Sequence, residues 1–396
     1  MTNKQNLKIS LIVSDLSSSG AGRWGGAVRP FLLAQALKKL DYQVEIVGLA
    51  FNSDAPPIYA PGISITVIPC EYYSGIISAA KELLPRINGD IIYAVKLKTT
   101  SFGLSVVKKL ISKRPLMLDI DDWELSWHGG EDWKYRPNLK QLGRDIFKKD
   151  GALRYPDHPL YLKWMEGLVS YADAVTTHSQ FLEQKFGGVY VPNGKDTELF
   201  DPGKYDPEES RKKYGLSEYR VLMFPGAPRP YKGVEDVLIA LEKLNQPDLK
   251  LVIVGGSPYD DYDSQLMEKW GKWLIQLPRY SVQNMPEVVS AAHIVVVPQR
   301  DTPAAQAQFP LKLTDGMAMA KPILATKVGD IPSIIGETGY LVEPSSPEEI
   351  AEKIQLIFDD FATATAKGIA ARERCVKYLR IENMATILEE IIAKFN

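Results

Sequence analysis

The chain has almost no cysteine: Cys70 and Cys375 are the only two in 396 residues, and they lie far apart. That scarcity excludes a disulfide framework and a cysteine-rich zinc site, and it fits a reducing cytoplasm. Four histidines add little metal-binding material, and no cofactor is expected. Excess charge is lacking too, since 47 basic residues face 49 acidic ones for a formal net charge of −2. No bulk field draws the chain to nucleic acid or anionic lipid, so nucleic acid is not an expected partner and lipid contact needs a local patch. No apolar run approaches the roughly 20 residues needed to span a bilayer. The polar opening runs straight into Leu7–Val13, an apolar stretch too short for a signal peptide. A cytoplasmic protein is expected, resting at most on the inner face of the membrane. Nor does the first strand lead into the Gly-X-Gly-X-X-Gly spacing of a dehydrogenase, because Ser17-Ser18-Ser19-Gly20-Ala21-Gly22 follows it.

What is present is an ordinary globular balance, 45% hydrophobic and 24% charged, in a chain long enough for two domains. Short β-branched runs alternate with helical patterns. In the first half Leu7–Val13, Val44–Leu49, Ile63–Ile68, Asp90–Ala94, Leu116–Ile120, Ala174–Thr177 and Gly188–Pro192 read as strands. Val28–Leu40, Ser78–Leu84, Leu104–Ile111 and Tyr161–Tyr171 read as helices between them. A second cycle gives strands at Arg220–Phe224, Leu249–Val254, Ile294–Pro298 and Ile323–Thr326, with helices at Val234–Leu244, Met285–Ala292 and Lys312–Ala320. Glu348–Phe358 and Ala370–Phe395 finish the chain as amphipathic helices. Alternation of this kind implies parallel sheets flanked by helices, because each crossover must cover a face. The turn-rich stretch from Asn193 to Glu209 marks the domain boundary. The expected fold is therefore α/β: residues 1–200 form one Rossmann-like domain, rejoined by a C-terminal helix at about 376–396, and residues 201–375 form the other. Ligands in such sheets bind beyond the carboxyl ends of the strands, and two such edges facing each other would make a cleft.

Two segments suit a phosphate. The strand Arg220–Phe224 runs into Pro225-Gly226-Ala227-Pro228-Arg229-Pro230-Tyr231-Lys232-Gly233. Gly226 permits a tight turn, the prolines stiffen the loop, and Arg229 and Lys232 present a planar fork and a compact charge. Taken alone, the loop equally suits a solvated turn with two incidental cations. The second segment, Gln308-Phe309-Pro310-Leu311-Lys312, opens a helix with proline at its first position, leaving the amides of Leu311 and Lys312 pointing outward. Asp315 lies one turn deeper on the face of Leu311 and suits a pair of vicinal hydroxyls such as a ribose presents; buried beside Met317 and Met319, it needs a partner.

Together these segments resemble the family-four retaining glycosyltransferases of the GT-B, or double-Rossmann, architecture. Gly25-Gly26 is similar to that family's glycine loop. Ala172-Asp173-Ala174-Val175, Ser179 and Val191-Pro192-Asn193-Gly194-Lys195-Asp196 resemble its domain junction, and Asp315 through Ile323 its C-terminal block. The resemblance implies that Arg229 and Lys232 hold the donor diphosphate, with Gly226 in the same loop. It implies that Asp315 holds the ribose and that Gln276-Leu277-Pro278 meets the base. The implied reaction is metal-independent and retaining, with the leaving diphosphate taking the acceptor's proton. The expected donor is a uridine diphosphate hexose, glucose first. The expected acceptor is a glycan or lipid-linked precursor in polysaccharide biosynthesis.

The family pattern carries two glutamates where this chain has Ala307 and Asp315, so sugar recognition falls to the backbone amides of Ala305–Phe309, Gln308 included, or to another residue. Asp122, after Asp119-Ile120-Asp121, is a candidate contact to the sugar or acceptor, a strand-end structural role being the alternative. Arg23, Trp123, Trp127 and His158 are acceptor candidates, against the simpler reading that large aromatics fill cores. The Lys140–Lys149 segment reads as a solvated helix face, with docking at a membrane as the other possibility. Two rivals stay open: a nucleotide-sugar epimerase of the same fold, and a catalytically inactive nucleotide-sugar-binding scaffold.

Overall fold

The computed structural model describes residues 7–17, 20–21, 28–51, 62–72, 75–257 and 260–395. The chain divides into two compact units: Met1–Asn193 with Ile381–Asn396, and Gly194–Arg380. The expected boundary was 200/201, with the return at about 376.

The N-terminal unit holds seven strands: β1 (Lys8–Val13), β2 (Gln43–Phe51), β3 (Ser64–Cys70), β4 (Ile91–Val95), β5 (Leu116–Ile120), β6 (Ala174–Thr177) and β7 (Val189–Tyr190). Their order is β3-β2-β1-β4-β5-β6-β7, and every pairing is parallel. The C-terminal unit holds β8 (Arg220–Pro225), β9 (Leu249–Val254), β10 (Leu274–Leu277), β11 (Ile294–Val297), β12 (Ile323–Thr326) and β13 (Tyr340–Val342). Here the order is β10-β9-β8-β11-β12-β13, again all parallel. Both sheets are Rossmann-like. Runs such as Ile294-Val295-Val296-Val297, wholly buried, are what a strand covered on both faces requires. In each sheet the first strand is internal and the strand order reverses beside it. The loops after β8 and β11 therefore leave the same edge side by side, which is where such sheets take ligands.

Several elements differ from the expectation. The turn-rich stretch after Asn193 contains a short helix, Pro207–Lys213, because Asp206 accepts hydrogen bonds from the amides of Glu208 and Glu209 and caps it. The final helix is two helices, Phe361–Tyr378 and Ile381–Ile392. Between them Leu379 leaves helical geometry, and its carbonyl accepts the Lys195 amide at 2.6 Å. Among the described residues, no helix is long and apolar enough to cross a membrane.

Candidate functional site

The carboxyl edge of β8 collects three cations. The chain leaves Pro225 through Gly226, whose φ of +141° suits glycine. At Gly233 φ is +67°, and an added Cβ would stand 1.8 Å from the Pro298 carbonyl oxygen. Only glycine lets this loop press against the end of β11. The loop is then tied down: the Tyr231 carbonyl accepts the Arg300 amide at 2.9 Å, and its hydroxyl exchanges hydrogen bonds with the Gln308 side chain at 3.3 and 3.2 Å. Arg300 in turn grips buried Asp236 with both guanidinium arms, at 3.0 and 2.7 Å.

Lys232 Nζ donates to the Ala227 carbonyl at 3.0 Å. Burial, then Lys312, then Arg229 hold its pKa well below the ordinary lysine range. Lys312 sits 4.8 Å from the Phe224 ring centre, with its Cε 3.9 Å from where a Gly226 side chain would begin. Burial pushes its amine down to about 8, with Asp315 only partly offsetting. Arg229 donates to Asp260 at 2.5 Å, on the loop after β9. Beside these cations the helix Leu311–Ala318 starts with no side-chain cap, and its first bond runs from the Leu313 amide to the Pro310 carbonyl. The amides of Leu311 and Lys312 precede that bond, in the position that favours an anion. Like charges gathered in a partly dry edge lower each other's pKa; an anion reverses that cost. Pro310 is the residue before the helix, not its first residue as expected.

Asp315, one turn into that helix, is ion-paired with Lys195, whose Nζ also lies 3.2 Å from the Phe200 ring centre. Asp315 is partly buried rather than buried, and this partner comes from the Val191–Asp196 segment. Gln276, at the end of edge strand β10, donates to Asp263 at 2.9 Å and to the Gly255 carbonyl at 3.3 Å; Leu277 is buried in the core.

The backbone amides expected to recognise sugar hydroxyls are largely occupied. Those of Ala305, Gln306, Ala307 and Gln308 donate to Thr302 Oγ1, Thr302 O, Pro303 O and Ala305 O, because Thr302 caps the helical turn Pro303–Gln306. Ala307 and Phe309 are buried. Within this segment the Gln308 side chain, beside Tyr231, is the polar group placed near the cations.

At the carboxyl ends of β4 and β5 in the N-terminal unit, charge is arranged differently. Asp119 is buried and takes both arms of Arg29, at 2.9 and 2.7 Å, while Arg29 also donates to Val191 O and Asn193 Oδ1. Thr176 and Tyr93 extend that network. Next to it Lys96, at φ +77°, reaches Glu124 at 2.9 Å, Asp121 at 3.5 Å and Asp122 at 4.0 Å. Lys98 bridges Asp157 at 2.7 Å and Glu124 at 3.5 Å. Burial raises the Asp122 pKa against the pull of Lys96. Burial would raise Glu124 as well, but Lys96 and Lys98 outweigh it and hold that carboxyl down. One oxygen each of Asp121 and Asp122 is buried without a hydrogen-bond partner.

Trp123 is placed in the core rather than at a binding surface. Its indole donates to Glu166 at 2.9 Å, and Lys185 covers its ring at 4.1 Å. His158 is also structural: Nδ1 accepts the Leu160 amide at 3.2 Å, capping the helix Pro159–Gly167, between the rings of Trp133, Tyr135 and Tyr161. Trp127 stays 44% exposed and donates to Asp122 at 3.2 Å. Arg23, Gly25 and Gly26 lie outside the described residues. The sequence reading missed Lys195, Arg29 and Lys96 as partners of acids, and it used only the amide of Lys312. Their one sequence signal is a cation standing beside an apolar strand or in the junction segment.

Residues 219–360 match the family model described as "Glycosyl transferases group 1". The chain is 29% identical over 220 residues to the D-inositol 3-phosphate glycosyltransferase of Corynebacterium glutamicum, covering 52% of this chain and about half, 50%, of that enzyme. It is 27% identical over 372 residues to the N-acetyl-alpha-D-glucosaminyl L-malate synthase of Bacillus anthracis, covering 91% of each. Among solved structures, Anabaena HepE in complex with UDP and glucose aligns with a TM-score of 0.74 and 16% identity, over 98% of this chain and 100% of that one. That likeness fixes the fold, GT-B. The family match, residues 219–360, falls on the Rossmann-like domain of the C-terminal unit.

Proposed function

With that domain as the premise, we propose that the protein transfers a hexose from a nucleotide diphosphate sugar to a glycan or lipid-linked acceptor, with retention and without a metal. The observation that carries the reading is the convergence of Lys232, Lys312, Arg229 and the uncapped helix start at one sheet edge. Such an edge suits a diphosphate, whose charge restores the depressed lysines and takes the open amides. In the reaction the bond from the sugar's anomeric carbon to the diphosphate oxygen breaks. A bond to the acceptor oxygen forms on the same face, and the acceptor's proton passes to the departing diphosphate. Lys232, Arg229 and Lys312 stabilise the charge that develops there, the effect expected to matter most. Asp315, steadied by Lys195, takes the ribose hydroxyls, and the end of β10 around Gln276 and Leu277 meets the base.

The donor is a uridine diphosphate hexose, with glucose the first choice; the HepE complex, which holds UDP and glucose, supports this. The N-terminal unit takes the acceptor, with Asp122 and exposed Trp127 as contacts. The product belongs to polysaccharide assembly at the inner face of the membrane. Thermal melting with uridine, guanosine and adenosine diphosphates and their sugars tests the donor, since a ligand of the folded state raises the melting point. A rise with uridine diphosphate glucose, and slow release of glucose from it, is expected. No rise with any nucleotide sugar overturns the reading. Epimerised donor without acceptor replaces it with epimerisation.

A further inference from the structure

The helix Leu139–Phe147 is turned inside out relative to an ordinary surface helix. Asn138 caps it by accepting the Gln141 amide at 2.8 Å, and its one fully buried residue is an acid, Asp145. That carboxylate accepts the Tyr135 hydroxyl at 2.8 Å and the Arg144 guanidinium at 3.3 and 3.2 Å. The polar side of the helix is therefore its anchor. Its apolar side faces solvent: Leu139 is 90% exposed, Phe147 83% and Ile146 43%. Leu139 and Ile146 are seven residues apart and share a face; Lys140 and Phe147, also seven apart, share the adjoining one. Lys140, Lys148 and Lys149 are exposed and form no ion pair among the described residues.

A group of large apolar side chains left in water by a folded domain marks a surface that another phase or molecule covers. Here apolar tips adjoin cations, and the only acid within the helix is turned inward. That combination fits the boundary of an anionic bilayer, where apolar side chains enter the acyl edge and lysines meet the phosphate layer. An acidic protein partner would satisfy the lysines but not three aliphatic and aromatic tips splayed along a nine-residue helix. We propose that this helix docks the protein on anionic lipid, with Leu139, Ile146 and Phe147 inserted and Lys140, Lys148 and Lys149 at the headgroups. The inference deepens the membrane-side reading of the acceptor and names the surface that reading lacks.

Sedimentation of the full chain with vesicles tests it. Vesicles of equal parts phosphatidylglycerol and phosphatidylcholine should carry the protein down, pure phosphatidylcholine should not, and high salt should weaken the binding. Leu139→Glu with Phe147→Glu should lower the bound fraction about tenfold or more. Lys148→Glu with Lys149→Glu should abolish the preference for anionic vesicles. These side chains are exposed, so unchanged melting points confirm that the variants fold. The proposal is overturned if the parent chain stays in solution or if the variants sediment like the parent. It is equally overturned if light scattering shows the helix joining two copies of the chain with no vesicle bound. Vesicle binding needs no donor. Transfer to a soluble acceptor with no vesicle binding therefore rejects the helix alone, and vesicle binding without donor hydrolysis rejects the enzyme reading alone.

Discussion

Two pairs of lysines lie beyond the carboxyl ends of strands in the two sheets, and their chemistry runs in opposite directions. Lys96 and Lys98, after β4, lie partly buried among Asp121, Asp122, Glu124 and Asp157, and both have raised pKa values because those acids outweigh desolvation. Lys232 and Lys312, at the edge of β8, have lowered values: burial dominates at both, and Lys312 and Arg229 add to it at Lys232. Arg229 has a counterion in Asp260, but Lys232 and Lys312, unlike Lys96 and Lys98, form no ion pair among the described residues. A charged cluster signals an anion site by its unbalanced cations, not by the number of its charges.

Removing one cation from each edge should therefore have different consequences. Arg29→Ala leaves Asp119 charged and unpaired in the core, and should cost about 3–5 kcal/mol of stability in denaturant unfolding. Unchanged unfolding would show that the N-terminal network is not held by that pair. At the other edge, Arg229→Ala or Lys232→Ala should lower turnover at saturating donor by about 100-fold or more. Lys232→Ala should not lower stability at neutral pH, because it removes a buried cation that folding disfavours. Near-normal turnover in both variants would erase the contrast between the edges.

A smaller effect sharpens the site. Asp315→Asn keeps the shape but removes the charge, and should raise the donor KM about tenfold or more by weakening a charge-assisted bond to ribose. Lys195→Met should raise it as well, whereas an unchanged KM in both would leave the pair structural.

The smallest effect concerns protons. Lys312 is protonated below about 8 and neutral above it, and a diphosphate binds the protonated form. Calorimetry should find uridine diphosphate affinity falling as pH rises through about 8, by no more than about tenfold per pH unit for one proton. Lys312→Met should reduce that loss. A flat profile in the parent chain would mean that this amine does not meet the ligand.

Much of the fold was legible because parallel strands covered on both faces must be nearly continuous apolar runs, and Leu116–Ile120, Leu249–Val254 and Ile323–Thr326 are such runs. The edge strands were harder: β10 and β13 are short and only partly buried, so their periodicity is weak. The loop Pro225–Gly233 stood out because two glycines and three prolines constrain a backbone in ways that need no partner. Asp315 was visible as an acid wanting a counterion, but Lys195 lies 120 positions away, and no local pattern joins them. Trp123 and His158, for which the sequence left an acceptor role and a core role open, were undecided for the same reason. A tryptophan in a charged segment reads as exposed until Glu166 and Lys185, distant in sequence, close over it.

By itself the sequence determined the two parallel sheets, the strand ends from which loops depart, and the stiff cationic turn, because each follows from local backbone limits and apolar periodicity. Tertiary structure alone decided which charges meet. The strand order places the loops after β8 and β11 together, so Lys312, 80 positions further along the chain, depresses Lys232. The order of the first sheet instead surrounds Lys96 with acids. Pairing depends on distances of a few ångströms between segments remote in the chain, and strand order sets those distances.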